Sequence, residues 1–237
     1  APNNAQSFYW LGNAYGSRIG QVGMLSQMNM APKLRDAFER TVKLDPEQLQ
    51  ARSALVEFYL QAPGMIGGGI DKARAQAVEI GKRDKAQGFM AHGRIAVHEK
   101  NAEQALKFYE AALVTKPGDA RIRLAVALAY QQLERWGDAF KLLRVWTTED
   151  PKAGPAWYQT GRAAALSGQF LDEGVTALQR YMALPHAKDE PQKQHALYRL
   201  GQIHAKAGRK DQARLALQEA LKLDPKYREA REELAKL

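Results

Sequence analysis

The chain contains no cysteine. That absence excludes disulfides, zinc–thiolate sites and cysteine nucleophiles together, and it leaves the compartment open, because an exported helical protein needs no disulfides. Long apolar runs are missing as well. The longest, Leu124 to Tyr130, is far too short to span a bilayer. There is no run of five or more lysines and arginines. The net charge of +9 is instead mixed with acidic residues, as in Lys72 to Glu79 and Tyr227 to Lys236. This reads as a solvated helical surface rich in base, and nucleic acid is not favoured as a partner. The five histidines, His92, His98, His186, His195 and His204, show no H-E-x-x-H and no other metal-ligand spacing. Carboxylates are scattered over amphipathic surfaces. Nothing in the sequence points to an enzyme, a metal or a cofactor.

What is present is a folded composition, 45% hydrophobic and 26% charged over 237 residues, and a period. Pro117, Pro151 and Pro185 lie 34 residues apart, twice in succession. That is the length of a helix–turn–helix repeat. The last unit is the clearest. Leu197, Leu200, Gly201 and His204 form one helical stripe, Gly208 supplies a turn, and a second helix with Ala213, Leu217 and Ala220 stops at Asp224-Pro225. The same arrangement opens at Phe8, Leu11, Gly12 and Tyr15 and closes at Asp45-Pro46. It recurs with Phe89, Gly93, Ala96, Ala105, Tyr109 and Ala112, then Val126, Ala127, Tyr130, Ala139, Leu143 and Trp146, then Trp157, Gly161 and Ala164. A further unit begins near Leu49 without a closing proline, and Val56 replaces its small residue.

The pattern resembles the tetratricopeptide repeat, whose signature is W-x2-L-G-x2-Y followed by Ala, Phe, Ala and Pro. The resemblance implies an all-α fold, a right-handed superhelical solenoid of antiparallel helix pairs with a concave groove. Six units are expected, at about 5–46, 49–84, 86–119, 120–153, 154–193 and 194–227, making one solenoid over 1–237. Residues 228–237 read as a polar helix that covers the last apolar face. The paired motifs F-Y-W-L-G-x-A-Y-G, from Phe8, and F-Y-L-x-A-P-G-x-x-G-G-G-x-x-K-A, from Phe58, resemble a set of exported bacterial repeat proteins. With Ala1, Pro2, Asn3 and Asn4 at the start, two readings compete, a mature chain after leader removal and an excised piece. A periplasmic or otherwise exported location is the expectation, and a cytoplasmic one the alternative.

The family resemblance places the inner groove on the first helix of each pair. Those positions give Tyr9 and Asn13, Ser53 and Glu57, Met90, Arg94 and His98, then Leu124, Leu128 and Gln132, Tyr158 and Arg162, and Tyr198, Gln202 and Lys206. The candidate groove set is Tyr9, Asn13, Arg94, His98, Tyr158, Arg162, Tyr198 and Gln202. Tyrosine offers apolar area with a polar tip, and arginine grips carboxylates through two bonds. Such a lining suits a protein or peptide partner with acidic groups or a free C-terminus. It does not reproduce the Lys/Asn carboxylate clamp of chaperone-binding relatives. The plain alternative is that these are solvated inner-face residues.

Three places depart from the repeat. A stretched turn in the first unit holds Gly16, Gly20, Gly23, Met24, Met28, Met30 and Pro32, part of which lengthens a helix. The corresponding turn of the second unit runs from Ala62 to Gly69. The link after Pro185 is longer, and there Asp189 is expected to cap a helix whose first residues include Pro191. The two early loops occupy equivalent places and should be neighbours, with Met24, Met28, Met65 and Ile66 as candidate contacts for a partner or for self-association. The alternative is that they only pack on each other. The triple glycine at Gly67 to Gly69 lacks a G-K-[ST] ending, so a tight turn is favoured over nucleotide binding. Besides a groove-binding scaffold, a self-association element and an envelope protein binding anionic polymer or lipid remain open.

Overall fold

The structure is a computed structural model, and it describes residues 4–185, 187 and 190–237. Two compact units divide the chain, Ala1–Ile122 and Arg123–Leu237. Among the described residues the elements are helical throughout: α1 (Ala5–Ile19), α2 (Met24–Leu44), α3 (Leu49–Gln61), a single 3-10 turn (Gly64–Ile66), α4 (Ile70–Arg83), α5 (Lys85–His98), α6 (Ala102–Thr115), α7 (Ala120–Gln132), α8 (Trp136–Glu149), α9 (Gly154–Ser167), α10 (Leu171–Ala183), α11 (Lys193–Lys206), α12 (Lys210–Leu223) and α13 (Arg228–Leu234). The fold class is thus an all-α helical repeat.

The helix ends follow from local chemistry. The Asn4, Asp84 and Asn101 side chains accept from the Ser7, Gln87 and Gln104 amides at 3.3, 3.0 and 3.0 Å and so cap α1, α5 and α6. At Asp45, Asp150 and Asp224 the backbone turns extended, and Pro46, Pro151 and Pro225 follow. Proline pushes its predecessor out of helical geometry, so each second helix stops there.

In the N-terminal unit α1 packs on α2, α3 on α4 and α5 on α6. Phe38, Leu55, Val56, Tyr59, Ile80 and Ile95 are buried in its core. In the C-terminal unit α9 packs on α10 and α11 on α12. One cluster there joins Phe140, Leu178, Tyr181, Leu200 and Ile203, and another joins Leu143 and Trp146 to Ala127. Each fully buried Leu, Ile or Phe contributes roughly 1.5–3 kcal/mol, which is how short helices of weak intrinsic stability are held. α13 lays Ala230 against Leu217 and Ala220, with Leu234 and Leu237 partly covered beside it.

Two expectations need correction. The first-unit departure is mostly helix: Gly16 lies inside α1, and Met24, Met28, Met30 and Pro32 lie inside α2, leaving only a short turn at Gly20 to Gly23. Pro32 removes one helical hydrogen bond but fits a helix already committed on both sides. At the late link, α11 begins at Lys193, so Pro191 precedes the helix. Its N-terminus is held by Gln192 and His195, with the Gln192 amide donating to His195 Nδ1 at 3.1 Å. Asp189 and His186 lie outside the described residues.

Candidate functional site

The expected groove residues fall into separate surroundings. In the N-terminal unit, Tyr9 packs its ring on Phe38, with centroids 6.1 Å apart. Asn13 lines an apolar cavity of about 670 Å³, together with Met24, Met28, Leu34, Phe58 and Ile66. The cavity therefore brings together Met24, Met28 and Ile66 from the two departures, whereas Met65 lies outside it and is 85% exposed. Arg35 joins α2 to the second departure: its Nη1 donates to the Ile66 carbonyl at 3.1 Å.

Arg94 lies in a different, polar cleft of about 410 Å³. Gln50 and Ser53 of α3 and Met90 and Arg94 of α5 line it, with Lys116 and Arg121 at one side. Its charges are balanced within the chain. Arg94 Nε lies 3.2 Å from Glu57 Oε1, and Lys116 Nζ lies 2.6 Å from Asp84 Oδ2. His98 ends α5 in an exposed position outside the cleft.

In the C-terminal unit the structure gathers Tyr198 and Gln202 around a residue that the inner-face spacing omits, Arg199, while Arg162 bonds to Gln131. Gln202 Nε2 donates to the Tyr198 hydroxyl at 2.9 Å, and Arg199 Nη1 donates to Gln202 Oε1 at 2.8 Å. The Arg199 guanidinium lies 5.2 Å from the Tyr198 ring centroid, within cation–π range. Arg162 Nη1 donates to Gln131 Oε1 at 2.5 Å, and Gln131 Nε2 donates to Gln159 Oε1 at 3.2 Å. Burial pushes the Arg162 pKa below its ordinary value, and the positive charge of Arg199 pushes it further the same way. Burial raises the Tyr198 pKa, with Glu229 and Glu233 acting in the same direction.

Tyr158 is the exception in this unit. It is 7% exposed, with its ring centroid 5.2 Å from that of Tyr181, so it belongs to the core and offers no free lining surface. Arg199 follows Tyr198 directly and reaches the same place through a long side chain, which a stripe of fixed offsets misses. Gln131 carried a fainter signal, a polar residue one helical turn beyond Ala127 on an otherwise apolar stripe.

No helix among the described residues is long and apolar enough to cross a membrane, and no cluster of three or more metal-ligating side chains occurs among them.

Consecutive helices packed in pairs within each unit define a helical-repeat protein. Two tetratricopeptide-repeat family models match, one over residues 96–165 and one over residues 194–227. The chain carries tetratricopeptide repeats over those residues. Solved structures of the same fold include PilW, a widely conserved type IV pilus biogenesis factor, at 17% identity and a TM-score of 0.66, covering 94% of this chain and 98% of that one. They also include pilF of Pseudomonas aeruginosa, at 14% identity and a TM-score of 0.65, covering 98% and 97%. A third is YrrB, described as a tetratricopeptide-repeat protein with an unusual peptide-binding site, at 18% identity and a TM-score of 0.61, covering 86% and 100%. At these identities the likeness concerns the fold alone. Among curated proteins, the general transcriptional corepressor ssn6 of Schizosaccharomyces pombe is 26% identical over 140 residues, which is 59% of this chain. The chain spans 12% of the length of that relative. The repeat fold supports a protein–protein interaction scaffold in general.

Proposed function

We propose that this protein is a non-enzymatic scaffold that binds a peptide or extended protein segment on the faces of its first helices. The observation that carries the reading is the polar cleft of the N-terminal unit, where Gln50, Ser53, Met90 and Arg94 meet at the surface. A concave site with a few placed polar groups is the usual form of a binding site. Amide and hydroxyl groups there suit main-chain hydrogen bonding, and Met90 supplies an adaptable apolar contact. YrrB, a protein of this fold with an unusual peptide-binding site, agrees with the reading. The test is selection of peptides from a random displayed library on the intact chain, followed by titration of the best binders. Arg94→Ala and Ser53→Trp, the second filling the cleft, should each weaken binding at least tenfold. A library that yields no binder, or binders indifferent to both substitutions, rejects the reading.

A second reading rests on a different observation. Met24 and Leu25 are 77% and 81% exposed beside the apolar cavity, a placement that suits self-association through the N-terminal end. Light scattering that rises with concentration in the parent and not in Met24→Lys/Leu25→Lys supports it; a mass independent of concentration removes it. The resemblance of the Phe8 and Phe58 motifs to exported repeat proteins favours the bacterial periplasm as the setting. Fractionation of cells producing the full gene product, with the chain found outside the cytoplasm, is the expected result.

A further inference from the structure

The apolar cavity of the N-terminal unit is built by α1, α2 and α3, and its volume of about 670 Å³ is that of a small-molecule site. Leu34, Phe38 and Phe58 line it, with both phenylalanines buried, while Met24 and Met28 are exposed at its edge. Its charge is unlike that of the chain as a whole. Charged residues make up 26% of the sequence and the net charge is +9, yet among the described lining residues Glu57 alone is ionisable. Glu57 is already matched, with Arg94 Nε 3.2 Å from its Oε1. A charged occupant would give up hydration there and meet no free counter-charge. The remaining polar groups are neutral. Gln27 donates its side-chain amide to the Val22 carbonyl at 3.0 Å, and the Ser17 hydroxyl donates to the Asn13 main-chain carbonyl at 3.0 Å. The side-chain amides of Asn13 and Gln61 have no such bond among the described residues, so donors and acceptors stand ready beside an apolar interior.

We propose that this cavity binds an uncharged amphiphile, with one alkyl chain against Leu34, Phe38 and Phe58 and a hydroxyl or carbonyl head at the amides of Asn13 and Gln61. Burial of the alkyl chain supplies the attraction, and the amides fix which end stays at the surface. The flexible thioethers of Met24 and Met28 adapt to the shape of the occupant. Neutrality of the lining sets the selectivity, because an anionic or cationic head on the same chain finds only a carboxylate that is already paired. Peptide binding in the polar cleft is a separate matter, since Gln50, Ser53 and Arg94 do not line the cavity.

The test titrates the intact chain with 1-decanol, decanoate and decylammonium, each below its micelle concentration, by isothermal titration calorimetry at physiological salt. The three probes share one alkyl chain and differ in the head. Decanol should bind with a negative heat-capacity change, at least fivefold more tightly than either charged probe, and with an affinity that added salt leaves unchanged. Gly16→Phe fills the cavity. A β-carbon at Gly16 meets only Leu34 Cδ1, at 3.6 Å, so the ring has room to enter without displacing the core. Decanol affinity should fall at least tenfold in this variant. Asn13→Ala/Gln61→Ala removes the head contacts without adding bulk and should cost at least threefold, which keeps the site testable if Gly16→Phe fails to fold. No decanol binding by the parent, equal or tighter binding of decanoate or decylammonium, or decanol binding that both variants leave untouched overturns the site. So does a parent chain that doubles in mass as concentration rises and loses decanol binding with it, since a second copy then occupies the cavity.

Discussion

Gly201 of α11 lies directly against Leu217 of α12: a β-carbon on Gly201 would stand 2.6 Å from Leu217 Cγ, inside van der Waals contact. Leu217 is fully buried, and it also carries the contact with α13. The side chain cannot retreat without opening a gap beneath Ala230. Gly201→Ala should therefore destabilise the chain by about 1–3 kcal/mol, the usual cost of overpacking, despite the better helix propensity of alanine. Urea denaturation followed by circular dichroism measures it. Gly201→Ala/Leu217→Ala should recover part of the packing strain while losing the leucine.

Gly16 gives the opposite sign with the same substitution. It lies in the last turn of α1, and a β-carbon there would meet only Leu34 Cδ1, at an ordinary 3.6 Å. Alanine removes the entropic cost of a helical glycine and covers some apolar surface of Leu34. Gly16→Ala should stabilise by about 1 kcal/mol in the same urea experiment. If both glycine substitutions moved in one direction, the close approach at Gly201 would not be the determining contact.

The contrast shows what sequence could and could not disclose. Gly201 was legible as the small residue that lets paired helices approach, and Asp224-Pro225 as the end of a helix, because both are local rules applied at a fixed period. The same local rules read Met24 to Pro32 only in part, as a departure of which some lengthens a helix, where the structure has helix throughout. Glycine and proline in one stretch favour a loop locally, but most of the stretch is exposed methionine, leucine and polar residues that tolerate a helix, and Ala31 at its end is buried in the N-terminal core. Tyr158 and Arg199 mark the limit of periodicity at the candidate site. The period assigns a residue to a face; it does not say that Tyr181 covers Tyr158, or that an arginine one position off the stripe bends back beside Tyr198.

Arg35 should control the order of the second-unit turn. Its guanidinium occupies the space beside Gly67 and bonds the Ile66 carbonyl at 3.1 Å, while Gly67 holds a left-handed φ of 100° that disfavours any other residue. The Gly69 amide is fixed from the other side by the Tyr59 carbonyl, at 2.9 Å. Arg35→Ala removes only the first tie. Amide hydrogen exchange at Ile66 to Gly68 should accelerate at least tenfold, with exchange in α9 to α12 unchanged. Uniform acceleration across the chain would show a global loss of stability instead.

Asp84 combines two roles that pH can separate. Its Oδ1 accepts from the Gln87 amide at 3.0 Å and caps α5, and its Oδ2 meets Lys116 Nζ at 2.6 Å. Burial alone raises the carboxyl pKa, but the Lys116 hydrogen bond and the two bonds from Gln87 outweigh it, and the net value falls below the ordinary 3.8. A depressed folded-state pKa means that the unfolded chain takes up the proton first. The stabilisation is therefore complete at neutral pH, starts to fade near the ordinary carboxyl range and is lost as pH drops through the lower folded value. Asp84→Ala loses cap and ion pair and should cost about 1–2 kcal/mol at pH 7. Asp84→Asn keeps a cap and loses only a half-exposed ion pair, so about 0.5 kcal/mol is expected. Stability curves of parent and Asp84→Asn should converge as the pH is taken from 5 toward 3. Curves that remain parallel over that interval would show that the Asp84 carboxylate is not the titrating group.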